Sequence, residues 1–124
     1  MARGTSHPFL VADMPFGSYH VSIDQAMTNA VDMIREGSME AVKLEGGEEI
    51  VDVVRRLTRV GIPVMAHVGL HPQRHTALSG YKILGRTMDN GKSVLRDALA
   101  FQEAGAFAMV IEAVPLHIVE WLLF

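Results

Sequence analysis

Four short and nearly unbroken apolar runs, Phe9 to Asp13, Ala41 to Glu45, Pro63 to Val68 and Phe107 to Glu112, are each followed by apolar residues at helical spacing. Continuous rather than alternating apolar runs are the mark of strands covered on both faces, and strand-then-helix repetition implies parallel pairing with right-handed crossovers. The first helix is predicted from Ser22-Ile23-Asp24-Gln25, which has capping-box form, and carries Ala26, Ala30, Val31 and Ile34 on one face before stopping near Gly37. Ile50, Val53, Val54 and Leu57 mark a second helix ahead of Gly61 and Pro63, and Val94, Leu95, Ala98 and Leu99 mark a third that ends near Gly105. Pro115 suits a first helical turn, and Ile118, Val119, Leu122 and Leu123 predict a fourth.

The order is therefore βαβαβαβα, an α/β chain of four units. A closed (β/α)8 barrel takes eight units and roughly 250 residues, so 124 residues correspond to about half of a TIM barrel. An open doubly wound sheet is the competing architecture. We expect one domain, residues 1–124, without an internal boundary. The connection from about Leu70 to Asn90 is long for a compact domain and is expected to lie over a site.

Composition narrows the function. The net charge is −3 and Lys and Arg are scattered among acids, which argues against a nucleic-acid partner. There is no cysteine, so a metal here would have to sit on oxygen or imidazole. The apolar tail from Ile118 to Phe124 is broken by Glu120 and is far shorter than the roughly 20 residues of a membrane span. The first residues, Met1 to Pro8, lack the apolar core of a secretory signal; a cytoplasmic protein is expected, with a mitochondrial location open if a segment precedes Met1.

Three of the predicted strands end on an acid, Asp13, Glu45 and Glu112, and ligands of parallel α/β folds bind at the carboxyl ends of strands. Lys43 and Glu45 are two residues apart on one strand and so share a face, whereas Leu44 faces the other way. A structural ion pair would look the same, but charges within a buried strand are costly unless something uses them. Asp13 and Glu45 together offer hard oxygen ligands suited to magnesium, and Glu112, from a separate strand, is a candidate general base. Taken singly, Asp13 also reads as a turn acid and Glu112 as a solvent-facing one. Gly46-Gly47 before a helix is a weak phosphate signal, and His67 reads as hydrogen-bonded packing. His71, Arg74, His75, Lys82 and Arg86 in the long connection are either solvated or arranged to meet an anionic substrate.

Read in order, Val11-Ala12-Asp13-Met14-Pro15-Phe16-Gly17-Ser18-Tyr19, Val42-Lys43-Leu44-Glu45-Gly46-Gly47, Gly61-Ile62-Pro63-Val64 with His67-Val68-Gly69-Leu70-His71-Pro72-Gln73, and Val110-Ile111-Glu112-Ala113-Val114-Pro115 closely resemble ketopantoate hydroxymethyltransferase. Gly80-Tyr81-Lys82, Asp97-Ala98 and Glu103-Ala104-Gly105-Ala106-Phe107 fit the same pattern, so the resemblance runs from about Arg3 to Pro115. It implies a βα barrel with magnesium that transfers a hydroxymethyl group from 5,10-methylenetetrahydrofolate to 3-methyl-2-oxobutanoate, giving 2-dehydropantoate in pantothenate biosynthesis. By the same resemblance Asp13 ligates the metal and contacts the 2-oxo acid, Lys43 holds the substrate carboxylate, Glu45 is associated with the metal, and Glu112 is the proton acceptor. The family pattern also implies a homo-oligomer.

Members of that family run to about twice this length and open with two further strands, the second carrying a Gly-Asp-Ser motif whose aspartate is another metal ligand. The sequence thus reads as a central stretch of the family barrel. Ala66 stands where the family usually has glycine, His71 where threonine is common, Ser79 where glycine is usual and Leu84 in a commonly polar position. Two other readings remain at this point: a Schiff-base aldolase using Lys43 as its nucleophile, and a non-catalytic barrel fragment that acts by association through open sheet edges.

Overall fold

A computed structural model describes residues 4, 7–74 and 88–122. Its elements are β1 (Val11–Asp13), α1 (Ile23–Arg35), β2 (Ala41–Glu45), a 3-10 turn (Glu48–Ile50), α2 (Val51–Arg59), β3 (Val64–Gly69), a second 3-10 turn (Pro72–Arg74), α3 (Met88–Glu103), β4 (Ala108–Glu112) and α4 (Leu116–Leu122). The strands form one parallel sheet in the order β1-β2-β3-β4. Strand order is what separates the two expected architectures. A doubly wound sheet reverses direction at a switch point, whereas a barrel wall adds each strand beside the last. The observed sequential order is that of a barrel wall.

Local chemistry explains the boundaries. Ser22 caps α1 by accepting the Gln25 N–H at 3.1 Å, as its sequence pattern predicts. Helices α2 and α3 end alike. Gly61 (φ +90°) and Gly105 (φ +91°) occupy the left-handed position, and paired bonds close each turn, Ile62 N–H to Leu57 O with Gly61 N–H to Thr58 O, and Ala106 N–H to Phe101 O with Gly105 N–H to Gln102 O. Pro63, with no N–H to give, precedes β3 and only accepts, from Val42 N–H at 3.1 Å. Strand β1 starts later than expected. Pairing with β2 begins at Val11 opposite Ala41, while the Leu10 N–H is taken by the Glu40 carboxylate at 2.8 Å and Phe9 is exposed.

The core lies between the sheet and its helices. Val42, Leu44, Val64, Ala66 and Val68 from the strands meet Ala26, Ala30, Val54, Leu57, Val94 and Phe101 from the helices, all buried. The expected face of α3 needs correction. Val94 and Ala98 are buried as predicted, but Phe101 and Ala104 complete that stripe, and Leu99 is 49% exposed. Leu99 instead lines an apolar groove of about 620 Å³ with Leu95, Met109, Ile111, Trp121 and Leu122 along the outer side of β4. Within the long connection, Pro72–Arg74 forms a 3-10 turn and α3 already begins at Met88. The predicted loop residues His75, Lys82 and Arg86, with Ser79 and Leu84, lie outside the described residues. Among the described residues no helix is long and apolar enough to cross a membrane.

One buried side chain ties this scaffold to the strand ends. Tyr19, in the β1–α1 connection and 1% exposed, donates its hydroxyl to Glu45 O at 3.0 Å and accepts Glu45 N–H at 3.1 Å. Removing the hydroxyl strands both backbone groups in a dry place, so Tyr19→Phe is expected to cost about 1–3 kcal/mol in urea unfolding. A loss below about 0.5 kcal/mol would show that these two bonds contribute no net stability.

Candidate functional site

Because side chains alternate along a strand, the register decides which residues share the face turned away from the helices. Asp13 pairs with Lys43, Glu45 with His67, His67 with Val110, and Gly69 with Glu112. Asp13, Lys43, Glu45, His67 and Glu112 therefore stand on one face at the carboxyl end of the sheet. The helix-covered face carries their apolar neighbours Ala12, Leu44, Ala66, Val68 and Ile111.

Two groupings emerge. In the first, Lys43 Nζ lies 2.9 Å from Asp13 Oδ2, with side-chain exposures of 22% and 52%. A partly solvated pair of this kind is worth about 0–1 kcal/mol, too little for stability to explain a lysine on a central strand. In the second, the His67 ring, 2% exposed, stands between two carboxylates: Nε2 is 3.2 Å from Glu112 Oε2 and Nδ1 is 3.7 Å from Glu45 Oε1. Neither nitrogen makes a well-aligned hydrogen bond among the described residues, so the ring is close to both acids without being satisfied by either. This corrects the sequence expectation that His67 is ordinary hydrogen-bonded packing.

Glu45 is 3% exposed, and its Oε2 accepts the Gln73 N–H at 3.2 Å. Gln73 Nε2 in turn donates to Met14 O at 3.0 Å, which joins the loops after β1 and β3 over the strand end. Glu112 has a half-exposed carboxylate and a constrained backbone. Its carbonyl accepts Leu70 N–H at 2.9 Å and lies so close to Gly69 (φ +92°) that any Cβ there would collide with it, and Ala113 just beyond is left-handed at φ +53°. A non-glycine residue in that region carries strain of order 1–3 kcal/mol, a price met more often at functional sites than elsewhere.

The Gly46-Gly47 loop is no open anion cradle. Gly47 N–H is bonded to Glu49 Oε1 at 3.2 Å and Glu48 N–H to Asp97 Oδ1 at 2.9 Å, so the chain's own carboxylates occupy these donors. A Cβ on Gly47 would come within 2.5 Å of Asp97 Oδ1, which shows how closely α3 is docked to this loop. Tyr19, Gln73 and Asp97 fall within the stretches that carry the family resemblance, but the residue pattern assigned none of them a role, since each acts through a contact distant in the chain.

For a metal, the chain offers oxygen donors at Asp13 and Glu45. Among the described residues no group of three His, Asp or Glu side chains converges as a ligand set. Magnesium needs only one or two carboxylates, with water and substrate completing its shell, and Asp13 and Glu45 are donors of that chemistry.

Burial of the Asp97 carboxyl raises its pKa, opposed by the Glu48 N–H bond and reinforced by the charges of Glu49 and Glu48. With the folded value above the unfolded one, the favourable contribution is complete below the unfolded pKa and is lost as pH rises through the folded pKa. Asp97→Asn keeps an oxygen for Glu48 N–H and removes the charge. Its stability relative to the parent chain should therefore improve from about pH 4 towards neutrality in paired thermal melts, and a difference independent of pH would contradict the assignment.

Residues 1–122 match the family described as ketopantoate hydroxymethyltransferase. A 3-methyl-2-oxobutanoate hydroxymethyltransferase of Emericella nidulans is 49% identical over 118 residues, covering 95% of this chain and 34% of that protein. Proteins of the same name from Thermoanaerobacter sp. and Heliobacterium modesticaldum are 47% identical over 118 residues and 50% identical over 115 residues. This chain covers 43% and 42% of their lengths, so it spans less than half of the curated relatives it matches.

Proposed function

The chain belongs to the ketopantoate hydroxymethyltransferase family, and from that premise we propose that it carries the 2-oxo acid and proton-transfer part of a hydroxymethyltransferase site. The reaction would be transfer of a one-carbon unit from 5,10-methylenetetrahydrofolate to 3-methyl-2-oxobutanoate with uptake of one water, whose oxygen becomes the new hydroxyl, giving 2-dehydropantoate and tetrahydrofolate. The observation that carries the reading is the row of Asp13, Lys43, Glu45, His67 and Glu112 on one face at the carboxyl ends of adjacent parallel strands.

Each residue has a task its position supports. The Lys43 ammonium, held by Asp13 at 2.9 Å, anchors the substrate carboxylate as a point charge. Glu112, half-exposed at the end of β4, takes the C3 proton of the oxo acid, leaving the electron pair as an enolate whose carbon attacks the folate-borne unit. Asp13 and Glu45 would hold magnesium, which when bound polarises the keto group and makes the C3 proton easier to remove. The Gln73 side chain, bonded to Met14 O, ties together the loops that follow β1 and β3 at the strand end. A Schiff-base route through Lys43 is disfavoured by the ion pair that already engages its nitrogen. The complete protein would act as a cytoplasmic homo-oligomer on these small molecules, with further barrel strands or another copy covering the groove beside β4.

Proton abstraction can be tested without folate. In D₂O with magnesium, the chain should exchange the C3 hydrogen of 3-methyl-2-oxobutanoate, followed by NMR. Glu112→Gln should slow exchange at least about 100-fold, and Lys43→Met should raise the KM for the oxo acid by about tenfold or more. Exchange that persists unchanged in Glu112→Gln would remove Glu112 as the base.

A further inference from the structure

Of the five ionisable side chains in the row, His67 is the one for which the family reading assigns no task. It is also among the most costly to keep. Among the described residues neither ring nitrogen of this buried imidazole has an aligned hydrogen-bond partner, so its desolvation is not offset. An apolar side chain could fill that space between β2 and β4 more favourably, so packing alone does not account for the residue.

Geometry separates the two nitrogens. Nε2 is within hydrogen-bond distance of Glu112 Oε2 at 3.2 Å, whereas Nδ1 is 3.7 Å from Glu45 Oε1, beyond it. A neutral imidazole has one N–H, and the closer carboxylate contact belongs to the nitrogen that donates. The opposite tautomer would set a lone pair against the Glu112 carboxylate at 3.2 Å. Glu45, for its part, has its other oxygen engaged by Gln73 N–H. The ring sits on a central strand paired on both sides and cannot swing away, with the His71 ring edge-on at 6.1 Å between centroids. Glu112, by contrast, is on β4 with a half-exposed carboxylate.

We propose that His67 is the positioning residue for Glu112, its Nε2–H directing one carboxylate oxygen so that the other faces the C3 proton of the bound oxo acid. This rests on Glu112 being the proton acceptor. The misalignment in the ligand-free site fits such a role, since catalytic hydrogen bonds often tighten only when substrate is bound. His67 itself touches no substrate atom and gives up no proton in the step; the proton leaving C3 ends on Glu112.

Two measurements test this. Long-range ¹H–¹⁵N NMR of the labelled chain should find His67 protonated at Nε2, with that proton moving upfield in Glu112→Gln as a charged acceptor is replaced by a neutral one. A ring protonated at Nδ1, or an Nε2 proton indifferent to Glu112→Gln, would overturn the proposal. In the exchange assay, His67→Leu should lower kcat about 100-fold with the KM for the oxo acid within about threefold, and His67→Gln, which retains a donor, should stay within about tenfold of the parent. Equal losses in the two variants, or full kcat in a folded His67→Leu chain, would also overturn it. If the parent chain fails to exchange while the Nε2 signal behaves as expected, the functional reading falls and the pairing of His67 with Glu112 stands.

Discussion

The register of β2 on β3 is the constraint on which the rest of the structure depends. Pairing Val42 with Val64 and Glu45 with His67 puts Val42, Leu44, Val64, Ala66 and Val68 under the helices and Lys43, Glu45 and His67 on the opposite face. Side chains alternate with a period of two, so a slip of β2 by one residue against β3 would turn Lys43 and Glu45 towards the helices and Leu44 away from them. The energetic separation between those arrangements is large. Each aliphatic side chain moved out of the core loses about 1.5–3 kcal/mol, and each charge moved in costs several more.

That separation lets the sheet carry a site it does not need for stability. On the helix-covered face, Val54, Leu57, Val94 and Phe101 pack onto the strands, and two glycine-terminated helices repeat one closing device. On the other face, the side chains are held by contacts from connections rather than by neighbours in the strand. Tyr19 binds both backbone groups of Glu45, Gln73 binds its carboxylate, and Asp97 reaches from α3 to the loop that follows it. The strand ends are thus positioned from two connections and from α3, and a rigid frame of this kind is what holding reacting groups in fixed geometry requires.

The two charged groupings differ in kind. Asp13 and Lys43 are near solvent and opposite in charge. Glu45, His67 and Glu112 run from the buried middle of the sheet to its half-exposed end, where Gly69 and the left-handed Ala113 set the path of the backbone around Glu112. Strain at Ala113 and unsatisfied nitrogens on His67 are local departures from the consistency of the rest of the fold, and such departures concentrate where function outweighs stability.

Much of this was legible in the residue order. Strand-then-helix repetition, the Ser22 cap, Gly61 and Gly105 as helix stops, and acids at three strand ends all follow from local periodicity and turn chemistry, which act over a few residues. Lys43 and Glu45 sharing a face follows from the strand period alone. What the sequence could not show is which strands neighbour one another and in what register, because pairing is decided by contacts between residues far apart in the chain. The sequential strand order, His67 set between Glu45 and Glu112, Tyr19 and Gln73 converging on Glu45, and Leu99 turned outward while Phe101 is buried arose only when the tertiary packing brought those segments together.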